Sequence, residues 1–174
     1  MALCDLAGKA LNTPSYNLFG GKYSDALRIY LDLSSPKALD DLDEWAALAA
    51  GAASVQISVV DLERYADACK AVNLAVSHFG RIDILVNNVG GTIWVQPYEV
   101  YEEEQIEAEI RRSLFPTLWC SHSVLAQMQK QQSGVIVNVS SLATRGSNRV
   151  PYSAAKGGVN ALTVCMALEN AKYG

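Results

Sequence analysis

Two short β-branched runs restrict this chain most, because each ends in small polar residues and leads into a helix-prone stretch. Ile82-Asp83-Ile84-Leu85-Val86 runs into Asn87-Asn88-Val89-Gly90-Gly91, and Gly134-Val135-Ile136-Val137-Asn138-Val139 runs into Ser140-Ser141. Brief apolar runs of this kind read as strands buried on both faces, which is how strands of a parallel sheet look. Between them lies a long helical stretch from Glu102 to about Gln132, long enough for a parallel crossover. In an open parallel sheet the ligand crevice lies beyond the carboxyl ends of the strands. Both polar termini therefore belong at one crevice.

Tyr152-Ser153-Ala154-Ala155-Lys156 follows eleven residues after Ser141. Residues four apart lie on one helix face, one turn from each other. A free tyrosine hydroxyl ionises near pH ~10, and a nearby cation favours the phenolate. A phenol tuned in this way can take a proton from an alcohol near neutral pH. The pair alone is common on surface helices. Beside two strand ends that converge on a crevice, it becomes a candidate catalytic pair.

With 174 residues the chain fits one domain and can bury a core. Its net charge of −4 argues against nucleic-acid binding, which calls for a basic patch. No apolar run approaches the ~20 residues of a membrane span, and Met1-Ala2-Leu3-Cys4-Asp5 lacks a secretory signal's basic region. Cys4, Cys69, Cys120 and Cys165 are scattered and read as small hydrophobes in a reducing, cytoplasmic setting. His78 and His122 have no paired ligand spacing, so no metal site is expected.

From Ser54 onward the pattern is consistent. Val55 to Val60 reads as a strand ending at Asp61, followed by a helix from Leu62 to Phe79 that Asp61 can cap. Gly80-Arg81 closes that helix. Ile106, Ile110, Leu114 and Leu118 mark an apolar stripe on the long helix, and Pro116 is expected to kink it. The last helix, from about Tyr152 to Lys172, is apolar nearly all round, as a buried helix usually is.

Taken together, Asp61-Leu62, Asn87-Asn88-Val89-Gly90, Val139-Ser140-Ser141 and Tyr152-x-x-x-Lys156 resemble the short-chain dehydrogenase/reductase family over residues 53 to 174. Asn87 to Trp94, Arg111 to Cys120, and Ala143 to Gly146 leading into Asn148 to Tyr152 resemble its branch that oxidises cis-dihydrodiols of benzoate. The resemblance implies an α/β fold. It would be a partial Rossmann-like, doubly wound parallel sheet that lacks the usual first βαβ unit and the C-terminal strands. It also implies a cytoplasmic oxidoreductase of aromatic catabolism that uses NAD, with NADP left open, on a small-molecule diol. A homodimer or homotetramer paired through the two long helices is implied as well, with neither nucleic acid nor membrane as partner.

By the same resemblance, Ser141, Tyr152, Lys156 and Ser113 would be catalytic. Ser113 stands where most members carry an Asn that holds a relay water, and its shorter hydroxyl can still donate and accept. Asp61 and Leu62 would contact the adenine. Asn88 and Gly90 would floor the cofactor site beside Tyr152 and Lys156. Trp94 would rim the substrate pocket with Thr92 and Ile93, and Arg145 would bind a substrate carboxylate, with Arg149 second. For each, the plainer alternative is a turn, a core residue or a solvated loop.

The opening departs from this pattern. The Gly-x-x-x-Gly-x-Gly turn that holds a dinucleotide pyrophosphate at a helix start does not occur. Instead Ala2 to Leu11, Pro14-Ser15-Tyr16 and Leu18 to Lys22 resemble the mandelate racemase/muconate lactonising group of the enolase superfamily, over residues 1 to about 48. The expected division is thus an enolase-superfamily-like segment over 1–50 and a truncated dehydrogenase domain over 51–174, joined between about 36 and 54. The alternative to an oxidoreductase is a non-catalytic chimera unable to bind cofactor.

Overall fold

The computed structural model describes residues 58–173. The expectations placed on residues 1–57, including most of the strand 55–60, lie outside them; Ser58 forms an isolated β-bridge. Three helices and two strands follow: α1 (Tyr65–Phe79), β1 (Ile84–Asn87), α2 (Glu103–Gln131), β2 (Val135–Asn138) and α3 (Val150–Asn170). The strands pair in parallel, with Ile84 opposite Val135 and Asn87 opposite Asn138. The expected crossover is present, and both strands end at the same edge of the sheet.

Helix α1 begins at Tyr65, three residues later than the sequence suggests. The Asp61 carboxylate accepts the Glu63 N–H at 3.1 Å, and Arg64 N donates to Asp61 O at 3.0 Å. Asp61 therefore shapes a turn ahead of the helix instead of capping it. The helix ends at Gly80, whose φ of 76° lets its N–H reach back to Val76 O at 2.8 Å. Leu62, Ala68, Leu85, Cys120, Val124 and Met128 form the core between α1, β1 and α2.

Helix α2 runs unbroken through the buried Pro116. At its start Gln105 reaches back to the Glu102 N–H at 3.1 Å. At its end the Gln131 side chain accepts from Ile82 N at 3.0 Å and donates to Ile82 O at 2.8 Å, so an amide side chain copies a strand neighbour at the entrance to β1. The face that is fully buried is not the expected apolar stripe. Ile106, Ile110, Leu114 and Leu118 are half-buried, whereas Glu109, Ser113, Thr117 and Ser121, also four apart, are buried. Burial of polar side chains requires partners. For Ser121 the partner is Asn87, whose Nδ2 donates to Ser121 Oγ at 3.0 Å and to Asn138 Oδ1 at 2.7 Å; Asn138 in turn donates to Thr163 Oγ1 at 2.9 Å. A single chain of hydrogen bonds thus crosses from α2 through both strands to α3.

Helix α3 starts at Val150 with Pro151 in its first turn. Only its first half follows the expectation of a buried helix. Ala155, Lys156 and Val159 are buried, but Val164 and Leu168 are 60% and 77% exposed. The second half meets β2 through Thr163 and α2 through Asn170, with Leu162 and Met166 half-buried, while Val164 and Leu168 lie on a face that no other described element covers.

The Asn87 network gives a direct test. Asn87→Ala leaves the buried Ser121 hydroxyl and the half-buried Asn138 amide short of a partner and is expected to cost about 2 kcal/mol in chemical denaturation. A loss within about 0.5 kcal/mol, the range of an ordinary surface substitution, would refute the network's contribution.

Candidate active site

Lys156 anchors the site. It is buried, at 3% exposure, one turn along α3 from Tyr152. Its Nζ donates to Val139 O at 3.0 Å, just past the end of β2, and to Val89 O at 3.5 Å, just past the end of β1. A buried ammonium requires acceptors, and the two strand termini supply them. The loss of water around it pushes its pKa below the ordinary lysine value of 10.5.

The loop after β2 is fastened to the same helix. Ser141 caps a 3-10 turn over Leu142–Arg145, its Oγ accepting the Ala143 N–H at 3.1 Å. That bond uses acceptor capacity only, so the Ser141 hydroxyl proton remains available. Ser140 instead turns its hydroxyl toward Lys156 O at 3.4 Å. Ser153 Oγ donates to Ala143 O at 2.6 Å, tying the first turn of α3 to the Ser141 turn. The Ser141 turn is thereby tied to α3, the helix that carries Tyr152 and Lys156, with Tyr152 half-buried.

The turn after β1 lies against α2. Gly90 has φ of 110°, and a Cβ there would stand 2.8 Å from the Ser113 Cα, so backbone meets backbone. Ser113 Oγ accepts from Gly91 N at 3.3 Å and lies 3.4 Å from Gly91 O. Its hydroxyl is therefore engaged by the turn itself. Asn88 is exposed beside Gly90. Asp61 is exposed at its own turn, whereas the Leu62 side chain is 3% exposed and belongs to the core. Of the Asp61-Leu62 pair, only Asp61 offers a side chain to solvent.

Trp94 is half-buried, on a loop that α2 holds through the carboxylate of Glu109. Its carbonyl accepts from Thr92 Oγ1 at 2.9 Å and from the Tyr101 hydroxyl at 2.8 Å. The same loop joins the approach to α3, where Gln96 N donates to Asn148 O at 2.7 Å. The Tyr101 phenol is pushed up by burial and by the Glu109 carboxylate, while Arg149 opposes this, so these three share one neighbourhood. Arg145 is exposed at the end of the Ser141 turn, and Arg149 is half-buried. The sequence reading passed over Glu109 and Tyr101. The signal available was the polar series Glu109, Ser113, Thr117, Ser121 at four-residue spacing.

The chain has counterparts among known proteins. Residues 30–174 match the family model for short chain dehydrogenases. The chain belongs to the short-chain dehydrogenase family. The match begins at residue 30, so the family's share of the chain reaches further forward than the expected residue 53. Two curated relatives are the 1,6-dihydroxycyclohexa-2,4-diene-1-carboxylate dehydrogenases of Pseudomonas putida and Acinetobacter baylyi. They are 61% and 55% identical over 71% and 72% of this chain. The chain spans about half the length of each, 46% and 48%. Among solved structures, NAD+-bound xylitol dehydrogenase superposes with a TM-score of 0.73 at 27% identity, covering 80% of this chain and 54% of that one. This short-chain dehydrogenase therefore has the Rossmann-type α/β fold expected, seen here as a two-stranded parallel part of it. A groove of about 310 Å³ lies elsewhere, between the C-terminal parts of α2 and α3 beside β2. Neither Ser141, Tyr152 nor Lys156 lines it.

Lys156 gives the test of the site's electrostatics. Its pKa is lowered in the folded chain, so between that value and 10.5 the unfolded chain holds more protons and stability rises with pH. The buried charge costs stability below the folded pKa, and the cost is relieved as pH climbs toward 10.5. The stability difference between parent and Lys156→Met, read by denaturant titration, is expected to move in the parent's favour as pH rises toward 10.5. A difference that ignores pH would refute the desolvated ammonium.

Proposed function

We propose that this chain carries the catalytic part of a cis-dihydrodiol dehydrogenase, which oxidises a benzoate-type 1-carboxy diol toward catechol with loss of CO2. The observation that carries the reading is Lys156, held between the two strand ends one turn from Tyr152, with Ser141 fastened to the same helix. The 61% and 55% identities to benzoate diol dehydrogenases support the choice of substrate.

The residues fit a nicotinamide dinucleotide. The Lys156 ammonium has three N–H donors, two of them on backbone carbonyls, which leaves one for a ribose hydroxyl. Asn88 and Gly90 at the end of β1, Asp61, and the backbone at Leu62 would hold the remainder. A bound NAD, with NADP left open, would supply the hydride acceptor for the carbinol carbon. The chain's own residues handle the proton and the pose. Ser141 donates a hydrogen bond to the reacting oxygen, and Tyr152 takes its proton as general base. The Lys156 cation favours the charge that Tyr152 acquires. The product is a β-keto acid, which loses carbon dioxide and tautomerises to the catechol. Arg145 is the guanidinium for the substrate carboxylate, since Arg can bind a carboxylate through two parallel hydrogen bonds. Trp94 gives the ring a flat wall. Ser113 keeps a share in proton relay only when its bond to Gly91 opens. Pairing of α2 and α3 with a second copy suits the half-open Ile106 to Leu118 stripe and the exposed Val164 and Leu168.

A second reading rests on a specific sequence observation. The Gly-x-x-x-Gly-x-Gly turn is absent. On that reading, residues 1–50 are an enolase-superfamily-like segment joined to a dehydrogenase domain over 51–174, and the chain keeps the catalytic residues without holding cofactor.

A thermal melt with and without NAD+ separates the two. Saturation at about 100 times the dissociation constant stabilises a binder by about 2.7 kcal/mol, which raises the transition by several degrees. An unmoved transition favours the second reading. In turnover, Arg145→Ala is expected to raise KM for the carboxylated diol about tenfold, the equivalent of about 1.4 kcal/mol, and to spare an uncharged diol. Equal effects on both would remove Arg145 from carboxylate binding.

A further inference from the structure

Glu109 has no part in the chemistry above, yet its side chain is wholly buried, at 0% exposure. One oxygen, Oε1, accepts from Ile93 N at 2.7 Å and from Trp94 N at 2.9 Å, with Thr92 Oγ1 lying 3.3 Å away and giving its proton to Trp94 O at 2.9 Å. Its other oxygen, Oε2, is buried with no hydrogen-bond partner among the described residues. A carboxylate is a costly group to bury, and an orphaned oxygen adds to that cost. A residue that served only to fill space would be apolar here. What this one does is gather two consecutive backbone N–H groups of the loop that follows β1 onto a single atom of α2.

The loop is fastened on two further sides. Tyr101 and Thr92 hold the Trp94 carbonyl. Gln96 bonds to Asn148, four residues before Tyr152, and to Gln105 on α2. Glu109 also lies one turn before Ser113, which holds Gly91. Consecutive turns of one helix thus grip the whole segment from Gly91 to Trp94.

We infer that Glu109 is a positioning residue that sets substrate specificity, because its Oε1 fixes the Thr92–Trp94 segment and so places the Trp94 indole as the wall for a flat ring beside Ser141 and Tyr152. The inference rests on the diol reading for the identity of the ring, whereas the grip on the loop stands on the geometry alone. Acceptor reach is the property that matters. Glu109→Asp keeps the carboxylate but withdraws it by one methylene, and Glu109→Gln keeps an oxygen at the same reach.

The test uses the full chain with Trp45 and Trp119 replaced by Phe, so that emission reports Trp94. Glu109→Asp is expected to increase acrylamide quenching of Trp94 about twofold. It should also raise KM for the benzoate cis-diol about tenfold while kcat stays within about threefold, since loose placement of a binding wall acts on pose before chemistry. Glu109→Gln is expected to stay within about twofold of the parent in both readouts. Parental quenching in Glu109→Asp, or equal disruption by Asp and Gln, would overturn the inference. If Glu109→Asp melts without a cooperative transition, Glu109→Leu decides. It fills the buried position without an acceptor, and an unchanged quenching and KM would overturn the inference. Quenching needs no turnover. A parent chain that oxidises no diol therefore overturns the proposed function, and quenching still decides the role of Glu109.

Discussion

The ammonium of Lys156 is the contact on which the arrangement turns. Parallel strands leave their last carbonyls pointing into the crevice, where they lack ladder partners. A cation there answers the acceptors of both strands at once, and its own burial is made tolerable by them. One side chain therefore fixes the distance between the two loops that bear the site and the face of α3 that meets them. The hydroxyl of Ser153 on Ala143 O adds the second point of attachment. With both in place, the Ser141 turn cannot shift without the Tyr152 turn.

A second constraint is the polar face of α2. Glu109, Ser113, Thr117 and Ser121 occupy the line on the helix where a core of leucines would ordinarily stand. Small polar side chains let the helix approach the turn after β1 until Gly90 and Ser113 meet backbone to backbone. That closeness places hydroxyl and carboxylate groups against the N–H groups of Gly91, Ile93 and Trp94, which a loop would otherwise have to leave to solvent. The irregular segment is thus folded by side-chain acceptors instead of by a ladder.

The two parallel strands, the crossover between them and the placing of Tyr152 and Lys156 one turn apart on α3 were legible because each is local. A β-branched run, its polar terminus and a four-residue spacing all lie within a few positions of each other. The burial of α2 was not legible in the same way. Ile106 to Leu118 and Glu109 to Ser121 are both repeats of four, and periodicity alone favours the apolar one. Which of them turns inward depends on Gly90 and Asn87, far away in sequence. Pro116 lies inside α2, which continues through it; the missing hydrogen bond and crowding at proline disfavour a helix in isolation, but here the residue is buried. Asp61 was read as a cap because a capping Asp and an Asp that turns the chain two residues on look alike in sequence. The apolar end of α3 does not state in its sequence what covers Val164 and Leu168, which are exposed among the described residues.

The Gln131 side chain that copies a strand at Ile82 has a consequence for motion. Ile82 N–H lies outside every helix and strand, yet its hydrogen bond depends on the last turn of α2 staying docked. Solvent hydrogen can replace the proton on that amide only when the docking opens. Its exchange rate therefore reports the parting of helix from sheet, a sub-global opening that the exchange of the strands' own amides would not single out.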